Sequence, residues 1–228
     1  GGSEAFLCDN WKAGTGSVGG SGARPGGRQK RSDRGARMGE WRRVFLDDGM
    51  AGGADGDGVV ETDWMVLFWK APACFAQWTP SWFTVDGMRY CNAEQWMMAS
   101  KAELFEDREV YRKIMRTQDP REHKALGRQV RGFEAWVWDA VGFDLVMKGN
   151  LAKFRQNPEF GQKLLATGSK ILGEASPFDS EWGIGLHASD PDALNQMRWP
   201  GANKLGEALM EVRTILREDA SGGDHMSG

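Results

Sequence analysis

Glu94 and Lys101 stand seven residues apart in the stretch Asn92-Ala93-Glu94-Gln95-Trp96-Met97-Met98-Ala99-Ser100-Lys101. In a helix that spacing is about 20° short of two full turns, so both side chains project from one face. Met97 and Met98 share the face, and Trp96 flanks it. Burial there would raise the pKa of the acid and lower that of the amine unless the two pair, and either outcome prepares groups for proton transfer or nucleophilic attack. The plainer alternative is a core stripe whose two charges reach solvent at either end of the helix.

Two loops offer further groups. Asp179-Ser180-Glu181-Trp182-Gly183-Ile184-Gly185 combines a carboxylate, a ring able to stack and backbone N–H groups beside glycine, which are the parts needed to orient a sugar or stack a base. Trp199 to Gly206 places Asn203 and Gly206 at a helix start, where backbone donors can meet a phosphate; an ordinary helix cap is the alternative. No GxxxxGK[ST] loop, GxGxxG fingerprint or GxSxG elbow is present. The three histidines, His123, His187 and His225, form no HExxH and no cluster with Cys8, Cys74 or Cys91, so neither a metal site nor a cofactor is expected.

The elements that must position these groups follow from pattern. Asn92 reads as an N-cap opening the Glu94 helix. Before it, Trp64 to Trp69 is an apolar run of strand length, and Trp82–Val85 and Met88–Cys91 flank Asp86-Gly87, the signal of a tight hairpin. Asp119-Pro120 caps a helix from Arg121 to about Val130 that carries Lys124, Arg128 and Arg131 on a basic surface. Phe133 to Phe154 is the longest helical pattern, with a break or kink expected at Gly142 or Gly149. Asn157-Pro158 restarts a shorter helix that closes at Thr167-Gly168, Ile171 to Ala175 reads as a strand, and Leu205, Leu209, Val212 and Leu216 mark a last helix.

Residues 1–58 hold sixteen of the thirty-one glycines and no periodic apolar pattern, so a disordered Gly/Arg-rich leader is expected there, with Met38 and Met50 as alternative starts inside it. Its run from Arg24 to Arg43 has a local charge of +6 and would take a weak anionic partner such as RNA, or simply be solvated. A folded domain is expected over 59–218 and a disordered tail over 219–228. The net charge of −3 argues against a chain built as a whole to hold nucleic acid. No apolar run reaches the eighteen residues of a membrane span, and no apolar signal core occurs between Gly1 and Gly39. With three cysteines showing no CxxC spacing, the expected location is the cytoplasm.

One set of blocks is more specific than any of these features. Leu67-Phe68-Trp69, Gln77-Trp78, Phe83-Thr84-Val85-Asp86-Gly87, Ala93-Glu94-Gln95 with Met97-Met98 and Lys101-Ala102, and Asp119-Pro120-Arg121 occur in order. They are followed by Lys124 to Arg128, Trp138-Asp139, Leu151 to Phe154, Leu164 to Gly168, Glu174 to Pro177, Trp182 to Gly185 and Asn203 to Gly206. In order and spacing the chain from about Val66 to Leu216 resembles the NADAR, or YbiA-like, family. The resemblance implies an α+β fold, a mostly helical single domain with a few short strands and a hairpin. It also implies a hydrolase, an N-glycosidase cleaving the bond between ribose 5-phosphate or ADP-ribose and a nitrogen. The substrate would be an early riboflavin-pathway intermediate or an ADP-ribosylated guanine, free or within nucleic acid. By the same resemblance Glu94 is the essential carboxylate, Lys101 a Schiff-base nucleophile and Asp179 the third catalytic group. Trp138, Trp182, Gly183, Arg128, Asn203 and Gly206 make up the expected substrate-binding set. Ala76, Trp96 and Pro200 depart from the family's usual serine, tyrosine and arginine, the last removing one phosphate contact. A non-catalytic ADP-ribose or NAD-binding module using the same pocket is the competing expectation.

Overall fold

The computed structural model describes residues 58–223. The apolar run from Trp64 to Trp69 contains strand β2, Met65–Phe68, all four of whose residues are buried. Such a continuous run suits a strand covered on both faces. β2 lies between β1 (Val59–Glu61), antiparallel to it, and β5 (Ile171–Glu174), parallel to it. The register sets Phe68 opposite Glu174 at the end of the sheet. The hairpin forms as expected from β3 (Phe83–Val85) and β4 (Met88–Tyr90). Asp86 and Gly87 both have positive φ, 50° and 80°, which suits the primed turn whose twist matches its strands.

The helix predicted at Asn92 is α1, Ala93–Leu104; the Asn92 side chain accepts the Gln95 N–H at 2.8 Å. Nine of its twelve residues are buried, so it is a central helix rather than a surface one, packed against its three helical neighbours. These are α2 (Arg108–Arg116), α3 (Pro120–Gly127) and α4 (Ala135–Gln156). Asp119 caps α3 with Pro120 in its first turn, as read from sequence.

α4 is not broken at its glycines. Both are there for room. A Cβ on Gly149 would stand 2.0 Å from Cδ1 of Trp96, whose indole N–H bonds Leu145 O at 2.6 Å, and one on Gly142 would stand 2.8 Å from Cε2 of Trp138. Helix α5 (Pro158–Ala166) follows, and the last helix, α6, runs Lys204–Gly223, past the boundary expected at 218. Asp219, placed in the tail by sequence, is helical and pairs with Arg155 at 2.7 Å. α6 packs on α4 and β5, so the α+β fold joins a small sheet to a helical body. The described residues all belong to a single compact unit. Residues 1–57 of the expected leader, including the basic run 24–43, and residues 224–228 lie outside those described.

Candidate active site

Glu94 sits in the first turn of α1 and Lys101 in its last, and the two line one cavity of about 260 Å³. Its wall is closed by Trp138 from α4, by Asp179 and Trp182 from the loop after β5, and by Arg128 at the end of α3. Six expected site residues therefore come together from four parts of the chain.

Glu94 is only 5% exposed. Burial pushes its carboxyl up to about 7, against the pull of Lys124, the Trp78 hydrogen bond and Arg128; Asp179 adds to the rise. The Trp78 indole N–H donates to Glu94 Oε2 at 3.3 Å, and the Glu94 backbone N–H donates to Gln77 O at 3.1 Å, so residues 77–78 are laid along the start of α1. A carboxyl that changes charge near neutral pH suits proton transfer. Burial lowers the Lys101 amine, with Glu181 opposing the shift. Its Nζ lies 3.8 Å from the ring centre of Phe133 and 5.9 Å from that of Trp138. Both groups of the stripe thus line a cavity.

Asp179 is held on both of its oxygens. Its Oδ1 accepts the N–H groups of Glu181 and Trp182 at 3.2 and 2.9 Å, and its Oδ2 faces Lys124 Nζ at 3.3 Å. Three expected ligand contacts are replaced by structural roles. The Asn203 amide donates to Leu172 O at 2.8 Å and accepts the Glu174 N–H at 3.1 Å, clamping β5 to the start of α6. A Cβ on Gly206 would meet Leu172 O at 2.1 Å, so this glycine lets the helix approach the strand. Gly183 makes the same allowance where its loop folds back, since a Cβ there would be 2.8 Å from Asp179 O. None of the three lines the cavity.

Sequence reasoning missed several groups that do. Glu174, at the end of β5, lines the cavity, and its partial burial together with the Asp179 and Glu94 carboxylates pushes it up to about 8, Lys124 opposing. Its signal was a lone acid closing an apolar strand. Gln77 is buried in the same wall, and its Oε1 accepts no hydrogen bond from the described residues. Phe133, read only as the start of a helix, covers the Lys101 amine from the loop ahead of α4.

A second cavity, about 560 Å³, adjoins the first through Gln77, Trp78, Lys124, Arg128, Glu174 and Asp179. Its outer part adds Trp69 and Phe178, with ring centres 6.0 Å apart, and the cations Lys70 and Arg121. Phe178 is 87% exposed at this rim. Among the described residues no group of three or more His, Cys, Asp or Glu is placed to hold a metal ion, and no helix is long and apolar enough to cross a membrane.

The NADAR domain model matches residues 67–217, a span that contains the first cavity and all of the second. The chain belongs to the NADAR family. Among similar NADAR proteins, an N-glycosidase of Acanthamoeba polyphaga mimivirus is 43% identical over 165 residues, which is 68% of this chain and 97% of that protein. The N-glycosidase YbiA of Escherichia coli is 31% identical over 142 residues, 62% of this chain and 78% of its own length. The NMR structure of Escherichia coli YbiA superposes with a TM-score of 0.58 at 26% identity, covering 72% of this chain and 90% of that one. A riboflavin biosynthesis protein of Vibrio vulnificus is 30% identical over 64% of this chain but only 36% of its own length. Fold and family are therefore those the motif blocks implied.

Proposed function

We propose that this NADAR domain is an N-glycosidase that hydrolyses the bond between the anomeric carbon of a phosphorylated ribosyl group and a nitrogen. The observation carrying this reading is Glu94, a buried carboxyl that titrates near 7, in one cavity with Lys101 and Asp179. Glu94 takes the proton of the attacking water, and Asp179, fixed by two backbone N–H groups, orients the ribose hydroxyls. The unpartnered Gln77 Oε1 accepts another; an unmet buried acceptor costs about 1–3 kcal/mol, which a ligand hydroxyl relieves. Trp138 and Trp182 frame the leaving base, and Arg128 with Lys124 faces phosphate. Lys101 offers a second route: its amine adds to the opened ribose, expelling the nitrogen as an imine forms that water then cleaves.

Of the two substrate classes, the second cavity favours ADP-ribosyl compounds. Trp69 and Phe178 suit a second aromatic group, and Lys70 and Arg121 a diphosphate; ribose 5-phosphate would leave that space unused. A product-analysed assay against both classes tests the choice. Release of free base from ADP-ribosyl substrate, unchanged by a chelator, is expected. Borohydride during turnover should trap an adduct on Lys101 if the imine route runs, and none if water attacks directly. A non-catalytic reader of ADP-ribose uses the same cavity; calorimetry showing tight binding beside absent turnover would favour it.

A further inference from the structure

Four carboxyl groups line the first cavity, and the protein treats them differently. Glu181 is paired with Lys204 Nζ at 2.9 Å. Asp179 is surrounded by donors: two backbone N–H groups and the Lys124 ammonium. Glu94 has the Trp78 indole, which can only donate and so favours the ionised carboxylate. Glu174 has neither kind of partner. Its carboxyl makes no hydrogen bond or ion pair with any described residue. Its backbone, by contrast, is fixed three times over: the N–H by Asn203 Oδ1 at 3.1 Å, the carbonyl by the N–H groups of Ser176 and Ile184, each at 2.8 Å. A side chain held on a rigid strand end, aimed into a cavity and given no protein partner, is placed to meet a ligand. It also stands in the wall shared by both cavities, beside Glu94 and Asp179.

Resting on the glycosidase reading, we propose that Glu174 is the general acid of the site: it hands a proton to the departing nitrogen while Glu94 receives one from the attacking water. The charges around it support that division. Glu94 and Lys101 face the cavity from α1, Lys124 and Arg128 from α3 and its end, Asp179 and Glu181 from the loop after β5, with Lys70 and Arg121 on the side of the second cavity. Lys124 pairs with Asp179 and, with Arg128, also pulls on Glu94, so a further negative charge on Glu174 is the costly one and the proton stays there. A donor that favours the ionised form on Glu94, and none on Glu174, is the difference in surroundings that splits base and acid roles. In the step, the water oxygen bonds to the anomeric carbon and the electrons of the C–N bond pass to nitrogen. The nitrogen takes the Glu174 proton, and the water proton goes to Glu94. Proton exchange with solvent then restores both carboxyls.

Leaving-group dependence tests this. A neutral N-riboside needs its nitrogen protonated, whereas the nicotinamide of NAD or of nicotinamide mononucleotide leaves as a neutral molecule without a proton. Glu174→Gln should lower kcat on the neutral riboside by on the order of 10²–10⁴, with a loss at least about tenfold smaller on the pyridinium substrate. Glu94→Gln should slow both alike. The alkaline limb of the pH–rate profile should vanish in Glu174→Gln and remain in Glu94→Gln. Equal losses of Glu174→Gln on both substrates, or no loss on either, overturn the proposal. If the wild-type protein cleaves neither class, the glycosidase reading itself falls. Infrared titration then still reports on Glu174: a protonated carboxyl near neutral pH that disappears in Glu174→Gln is expected, and its absence overturns the assignment without reference to turnover.

Discussion

Lys101 and Lys153 are both amines taken out of water, one lining the cavity and one on the buried face of α4. Lys153 is fully buried, and its Nζ donates to Ala76 O at 2.9 Å. Burial lowers it to about 7, with Cys74 pushing the other way. Lys101 is lowered too, yet it lies against Phe133 in a space a ligand can enter. The displaced proton affinity of Lys153 is therefore no sign of catalysis. Its amine holds the carbonyl of Ala76, directly ahead of Gln77 and Trp78, and so fixes the wall that meets Glu94. Access, not perturbation, separates a working group from a supporting one.

That contrast can be pressed experimentally. The largest effect belongs to the cavity: Glu94→Gln should fold and bind yet lose on the order of 10²–10⁴ in kcat, about 3–5 kcal/mol of transition-state stabilisation, measured by steady-state release of base. Full retained activity would remove Glu94 from the chemistry. Next comes the interior. Lys153→Ala leaves a void and an Ala76 carbonyl with only the Thr79 N–H at 3.4 Å, and should cost about 2–4 kcal/mol in urea unfolding, with Lys153→Met recovering much of it.

A smaller effect is the pH dependence of stability, where the two regions act with opposite sign. Glu94 has a folded value near 7 against an ordinary 4.5, so the folded state holds the extra proton and stability falls as pH rises between them. Glu94→Gln should flatten this fall, which is about 3 kcal/mol over the range. Lys153, near 7 against 10.5, is the reverse: the unfolded chain holds the extra proton, and stability rises with pH from about 7 towards 10.5. Lys153→Met should remove that rise. Thermal melts across the pH range read both. Smallest of all, Lys101→Met should change folding stability by no more than about 0.5 kcal/mol while abolishing any borohydride-trapped adduct. A large loss of Tm instead would make Lys101 a packing residue like its counterpart.

Much of this arrangement was legible in the residues, wherever the deciding information was local. Asn92 announced the start of α1, the seven-residue spacing put Glu94 and Lys101 on one face, and Asp86-Gly87 gave the hairpin. Asp179 and Trp182 stood out as a compact polar loop and do reach the cavity. What stayed hidden depends on pairings across the chain. Glu174 becomes a cavity residue only because β5 lies parallel to β2, and Asn203 becomes a clamp only because α6 starts beside that strand. Gly142 and Gly149 pointed to a break by propensity, whereas the space they leave is filled by tryptophans. Lys153 carries no local mark of its depth.

The parallel pairing of β5 with β2 also bears on how the protein is made. A ribosome releases the helix bearing Glu94 well before the strand and loop that complete the opposite wall, so a nascent or truncated chain ending ahead of Ile171 has half a pocket and none of Glu174, Asp179 and Glu181. A complete cavity is consequently a property of the finished domain alone, and it cannot be parcelled between fragments that end on either side of β5.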